Sequence, residues 1–174
     1  MILASAQMVE PIEMSSTALP AGVAELYQRH YDVVFRAALR VTGRSSDAED
    51  VLQTVFLRVL SQVDRDQNQA WPTAYFKRAA VNAAVDLLRR RAVHAETDYD
   101  DRAPHAAVES TLLLKEQLRR AIATLESDDA TLFLLRHVEG LSNQELADLF
   151  QLEKNNIAVR LHRIRMRLQA EMER

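Results

Sequence analysis

Near its C-terminal end the chain gathers side chains able to read a nucleic acid. Lys154, Asn155, Asn156, Arg160, His162, Arg163 and Arg167 follow one another closely, and no acid interrupts them from Lys154 to Met166. Guanidinium and amide groups can pair with guanine and adenine edges through two hydrogen bonds, and cations neutralise phosphates. Between them Ile157, Leu161, Ile164 and Leu168 recur at steps of four, three and four, the apolar stripe of one helix. Such a helix packs one side inward and turns a basic, amide-rich face outward, and that face suits a major groove. The same pattern also fits a basic solvated face with no ligand.

The elements that position this helix are written just before it. Ser142 and Glu145 have the spacing of a capping box and start a short helix over 143–150. A tight turn, 151–153, separates it from the basic helix. Together they make a helix-turn-helix, with Leu141, Leu146, Leu149, Leu152, Ile157 and Leu161 expected to pack the pair. Upstream, Leu112–Leu125 and Asp128–Val138 predict two more helices, the second stopped by Gly140.

A second basic concentration sits on a helix predicted over Thr73–Arg91. Its polar side carries Tyr75, Lys77, Arg78, Asn82 and Asp86, and it ends in Arg89, Arg90 and Arg91. Its apolar side carries Phe76, Ala79, Ala80, Ala83, Ala84, Leu87 and Leu88. Before it, Ser46 and Glu49 read as a cap for a helix whose inner face is Ala48, Val51, Leu52, Val55, Phe56, Val59 and Leu60. Its other faces hold Asp47, Asp50, Gln53, Thr54 and Arg58. A first helix begins near Val23 and closes at Gly43.

The composition agrees with an all-α protein. Of 174 residues 48% are hydrophobic, and only 3 Gly and 4 Pro are present, too few for a chain of many tight β turns. The net charge of −3 hides an asymmetry. Bases cluster at Arg89–Arg91 and Lys154–Arg167, acids at Asp47–Asp50 and Glu96–Asp101. The boundaries expected are a mobile leader over 1–22, a helical domain over 23–91, a flexible acidic linker over 92–111 and a second helical domain over 112–174. The leader lacks the basic start of a signal peptide, and no run is long enough to span a membrane.

Enzymatic chemistry is not expected. With no cysteine, the chain has no disulfide, thiolate metal site or cysteine nucleophile. Its five histidines, at 30, 94, 105, 137 and 162, lack metal-ligand spacing, and no Gly-rich phosphate loop occurs. We therefore expect no catalytic residues, metal, cofactor or small-molecule substrate, and a cytoplasmic location.

Two stretches carry a family resemblance. Val138-Glu139-Gly140-Leu141-Ser142-Asn143-Gln144-Glu145-Leu146-Ala147, then Arg160-Leu161-His162-Arg163-Ile164-Arg165, resembles region 4 of extracytoplasmic-function (ECF) sigma factors. Leu26-Tyr27 through Tyr31, Asp47 through Arg58, and Pro72 through Arg78 with Asn82, Asp86 and Arg89–Arg91 resemble region 2 of the same family. The resemblance implies a two-domain initiation factor. Region 2 would hold the β′ clamp coiled coil of core RNA polymerase through Asp47, Asp50, Gln53, Thr54 and Arg58. It would open the −10 element through Tyr75, Lys77, Arg78, Asn82, Asp86, Arg89, Arg90 and Arg91, with Tyr75, Asn82 and Asp86 near a flipped base. Trp71 is expected in the core. Region 4 would rest on the β-flap and read the −35 element with Lys154, Asn155, Asn156, Val159, Arg160 and Arg163, Val159 meeting a thymine methyl. The resemblance also implies an anti-sigma factor as partner, and for the acidic linker, with Glu96, Asp98, Asp100 and Asp101, either a path through the basic polymerase cleft or a solubilising spacer.

The chain departs from the family pattern at several points. Thr54 stands where an acid is usual, and Val81 replaces an arginine before Asn82. Gln151 replaces the turn glycine, Glu153 a serine, Asn155 and Asn156 a Gly-Thr pair, and Ala158 a lysine. A distinct −35 sequence or a weaker −35 dependence is therefore expected. Two alternatives are a helix-turn-helix regulator acting without polymerase, and a sigma-like decoy that has lost promoter reading. Regulation by an attached extra domain after Arg174 is not expected.

Overall fold

The computed structural model describes residues 21–63, 71–95 and 108–173. Those residues form seven α-helices and no strand: α1 (Ala21–Thr42), α2 (Ser45–Val63), α3 (Thr73–Ala95), α4 (Val108–Thr124), α5 (Ser127–His137), α6 (Asn143–Phe150) and α7 (Lys154–Met172). The all-α expectation holds. The expected acidic stretch Glu96–Asp101 and residues 1–20 lie outside the described residues. Residues 92–95 and 108–111, expected as linker, belong to the ends of α3 and α4.

Helices α1 to α3 form the first unit. Val34, Ala37, Ala38 and Val41 of α1 meet Val51, Leu52, Val55, Phe56 and Val59 of α2, the stripe its spacing predicts. Phe76 of α3 is fully buried at the centre. His30 stacks on it at 4.0 Å, and Phe56, Trp71 and Tyr75 surround it with centroids 5.6–6.3 Å away. Emptying such a site by Phe→Ala typically costs about 3–5 kcal/mol. Helices α4 to α7 form the second unit around Leu132, Leu135, Leu146, Ile157 and Ile164.

Helix α3 belongs to both units. It packs against α1 and α2 on one side and against α4 and α5 on the other. This explains why Val81 and Val85, outside the predicted apolar stripe, are fully buried. A helix covered on two sides has no single polar face, so a one-stripe reading understates its core. Val81 is thus a packing residue.

Local details correct or confirm the sequence reading. Helix α2 starts at Ser45, so Ser46 lies inside its first turn rather than at a cap, and Ala48 N–H bonds to Arg44 O at 3.1 Å. Gly43 has φ +76°, and a Cβ there would also collide with the Arg119 guanidinium, which crosses from α4 to bond Val41 O at 3.0 Å. Gly43 therefore serves the helix stop and the seam between the units together.

Candidate nucleic-acid interface

The helix-turn-helix forms as its spacing predicts. The Ser142 hydroxyl accepts from Glu145 N–H at 3.2 Å, and Ser142 N–H donates to the Glu145 carboxylate at 2.8 Å. These bonds from Ser142 hold the Glu145 carboxyl below the usual carboxylate range. The turn keeps the left-handed shape without glycine: Gln151 has φ 55° and ψ 43°. A non-glycine residue there costs about 1 kcal/mol. Glu153 is the N-cap of α7 with no side-chain cap bond, and its carbonyl accepts from Ile157 N–H at 3.1 Å. Ile157, Leu161, Ile164 and Leu168 are the buried stripe of α7. Leu152 departs from expectation. It is exposed and lines a cleft instead of packing the helix pair.

The outward face of α7 is open. Lys154, Asn155, Asn156, Val159 and Arg163 are exposed, and Arg160 is partly exposed. His162 is exposed as well. Asn156, Val159, Arg160, Arg163 and Arg167 line a cleft of about 510 Å³ together with Leu152, Glu126 and Asp129. Asp129, in the first turn of α5, accepts from Arg160 Nε at 2.5 Å, and Arg167 Nη1 stands 3.5 Å from its other oxygen. Sequence reading missed this acid. A pair 31 residues apart leaves no local signal.

The face of α3 is in the opposite condition. Lys77 pairs with Glu139 at 3.5 Å, and Arg78 donates to Leu149 O at 2.7 Å while lying 4.3 Å over the Phe150 ring. Asn82 Oδ1 accepts from the Thr131 hydroxyl. Arg89 donates to Ala123 O at 3.3 Å and to Leu125 O. All these partners belong to the second unit or its connections. Glu139 also takes Arg40 Nη1 at 2.7 Å, and its side chain is only 2% exposed. Arg91 turns to the first unit and pairs with Asp47. Arg90 remains exposed, and its Nε donates to Asp86 O at 3.3 Å. Tyr75 is part-buried against Trp71, its hydroxyl 3.1 Å from Gln62 Oε1, and burial raises its pKa from the ordinary value. Trp71 packs against the core as expected.

On α2 the expected partner-facing residues divide. Asp47 is buried and held by Arg91, facing inward rather than with the exposed residues of this helix. Asp50, Gln53 and Arg58 are exposed, and the Thr54 hydroxyl is tied to Asp50 O at 2.8 Å. Leu57, which sequence reading left out, stands 65% exposed among them. Its signal was available: positions 50, 53, 54, 57 and 58 share one helix face.

Two family descriptions match this architecture. Sigma-70 region 2 matches residues 26–93, and Sigma-70 region 4 matches residues 115–168. The RNA polymerase sigma factor CarQ of Myxococcus xanthus is 30% identical over 143 residues, covering 80% of this chain and 82% of CarQ. The chain belongs to the ECF sigma factors of the sigma-70 family. The ECF RNA polymerase sigma factor SigE of Mycolicibacterium smegmatis is 30% identical over 83% of this chain, which spans 59% of that relative's length. The ECF RNA polymerase sigma factor SigW of Bacillus subtilis is 23% identical over 87% of this chain and 88% of its own. The fold is shared with two solved structures. CnrH in complex with the cytosolic domain of CnrY aligns with a TM-score of 0.52, 22% identity and 87% of each chain. RpoE in complex with the anti-sigma factor NepR from Bartonella quintana aligns with a TM-score of 0.51 and 20% identity, covering 86% of this chain and 97% of RpoE. In this ECF sigma factor region 2 spans α1 to α3, and region 4 takes in α5, α6 and most of α4 and α7. A plain helix-turn-helix regulator does not account for region 2. No described helix is long and apolar enough to cross a membrane.

Proposed function

We propose that this ECF sigma factor binds core RNA polymerase in the cytoplasm, directs it to promoters through separate −35 and −10 contacts, and promotes melting there. One observation carries the reading. A single chain pairs region 2, with its basic α3, and region 4, with an apolar-backed basic α7 whose reading face is open.

Core polymerase meets the outer face of α2. Asp50, Gln53, Thr54 and Arg58 supply polar contacts and Leu57 an apolar one. Asp47 contributes indirectly, by holding Arg91. The β-flap contact falls to region 4.

The −35 element meets α7 through Lys154, Asn155, Asn156, Val159, Arg160 and Arg163. The turn at Gln151 keeps the usual backbone shape, so altered residues at the helix start, not an altered turn, set any unusual preference. The −10 element meets α3, with Lys77, Arg78, Arg89 and Arg90 neutralising phosphates and Tyr75, Asn82 and Asp86 near an unstacked base. Lys77, Arg78, Asn82 and Arg89 are held by the second unit in this structure. DNA therefore reaches this face only after α3 parts from α4 and α5. The domain limits follow the matches, about 23–91 and 112–174. An anti-sigma factor is the expected regulator, and the chain acts as an initiation factor without catalysis of its own.

Run-off transcription tests this reading. Purified core polymerase plus this chain should give a specific transcript from promoters of its own genome. Failure to bind core polymerase, or binding without any promoter-specific transcript, contradicts it.

A further inference from the structure

The acid beneath the reading face of α7, Asp129, has no part in the promoter contacts proposed above. We propose that Asp129 is a positioning residue for promoter reading: it holds Arg160 so that its terminal nitrogens meet a guanine of the −35 element as a fixed pair of donors. The proposal rests on α7 being the −35 reader.

Four observations carry it. Asp129 is itself well placed, nearly buried, in the first turn of α5 where the helix dipole favours a carboxylate. Its bond to Arg160 is made at Nε, 2.5 Å away. That leaves Nη1 and Nη2, the fork that pairs with guanine O6 and N7, with no hydrogen-bond partner among the described residues. Arg167 lies 3.5 Å from the second carboxylate oxygen, so one acid is shared by two cations and the site stays net positive towards DNA. Arg160 also lines one cleft together with Asn156, Val159 and Arg163.

The chemistry follows from flexibility. A long arginine chain that is unheld must lose rotamer freedom when it meets a base, and it can equally turn to a phosphate. Anchoring at Nε removes much of that freedom in advance. It also fixes the guanidinium plane, so a pair of acceptors at the right spacing is favoured over a single phosphate oxygen. Asp129 thus acts through Arg160 and touches no base itself.

The test uses holoenzyme formed with the full chain, a library of promoters varied across the −35 element, and the substitutions Asp129→Asn, Asp129→Ala, Arg160→Ala and Asp129→Ala with Arg160→Ala. Arg160→Ala should cut discrimination at one base pair by about tenfold or more. Asp129→Ala should lose discrimination at that same base pair, and Asp129→Asn, which keeps an acceptor, should lose less. The double substitution should be no worse there than Arg160→Ala. Thermal melting of each variant reports folding separately. An equal loss on every promoter with unchanged preference would mean a structural role only, and an equal gain on every promoter would mean simple repulsion of phosphate; either overturns the proposal. If Arg160→Ala shifts the preference and neither Asp129 substitution does, the positioning role falls while α7 remains the reader. If no substitution on α7 shifts the preference, the reading of α7 falls with it.

Discussion

Two basic helices with related tasks are found in opposite states. The face of α7 is open to solvent, braced by α6 and lined with exposed donors. The face of α3 is occupied: Lys77, Arg78, Asn82 and Arg89 are each bonded to the region 4 half of the molecule. Burial explains the difference. Helix α7 is amphipathic and needs one packed side, whereas α3 buries apolar residues on two sides and is covered on both. On the proposed assignment, the −35 contact is ready in the free chain, and the −10 contact waits on separation of the units. Promoter opening would then be limited to the polymerase-bound state.

The largest expected effect lies on the open face. Arg163→Ala should weaken binding to upstream promoter DNA by about ten- to a hundredfold, corresponding to about 1–3 kcal/mol for a paired base contact. Gel-shift titration of holoenzyme on −35 DNA checks it, and unchanged −35 dependence breaks the comparison at α7.

Next comes the seam. Glu139 is buried between Arg40 and Lys77, so Glu139→Ala leaves cations without their partner and loosens the two units. Both cations retain some solvent access, so the cost should fall between that of an exposed pair and that of a fully buried one, about 1–2 kcal/mol. Hydrogen exchange along α3 should speed up, and free chain should bind single-stranded −10 DNA several-fold better. Protection of α3 equal to that of the unaltered chain would mean the seam does not cover it.

A smaller change sharpens the turn between α6 and α7. Gln151→Gly relieves a left-handed non-glycine residue and should raise stability by about 0.5–1 kcal/mol in a melting experiment, with −35 preference unchanged. A changed preference would place promoter choice in the turn.

The smallest effect is acid sensitivity. Burial, then the neighbouring Arg29, lowers the His30 pKa from 6.5, and its Nδ1 has no hydrogen-bond partner. The unfolded chain therefore takes up the proton first. Stability conferred by neutral His30 is full above about 6.5 and falls as the pH drops through that value towards the folded pKa. Melting temperature should decline between pH 7.5 and 5.5, and less so for His30→Leu. Burial likewise lowers the His137 pKa, so a residual slope should remain in that variant.

Where structure was written locally, the sequence was enough to read it. The Ser142–Glu145 box, the stop at Gly140, the stripe of α7 and the inner face of α2 each depend on residues within a few positions of one another. Pairs made across the fold were invisible. Asp47 looks like a surface acid of α2 until Arg91, 44 residues on, is brought against it. Asp129 and Glu139 look like ordinary helix-end acids until α7 and α3 arrive. Helix α3 misled for a physical reason: its second covered side adds Val81 and Val85 to the core and engages residues such as Asn82 in contacts between the units.

Separation of the two units can be watched directly, because the chain has no cysteine to interfere with labelling. Cysteines introduced at Gln28 on α1 and Gln144 on α6, both exposed, would carry a donor and acceptor dye pair. The account predicts high energy transfer in the free chain and a marked fall when core polymerase is added, with promoter-specific transcription retained. Unchanged transfer in a transcribing holoenzyme would contradict it.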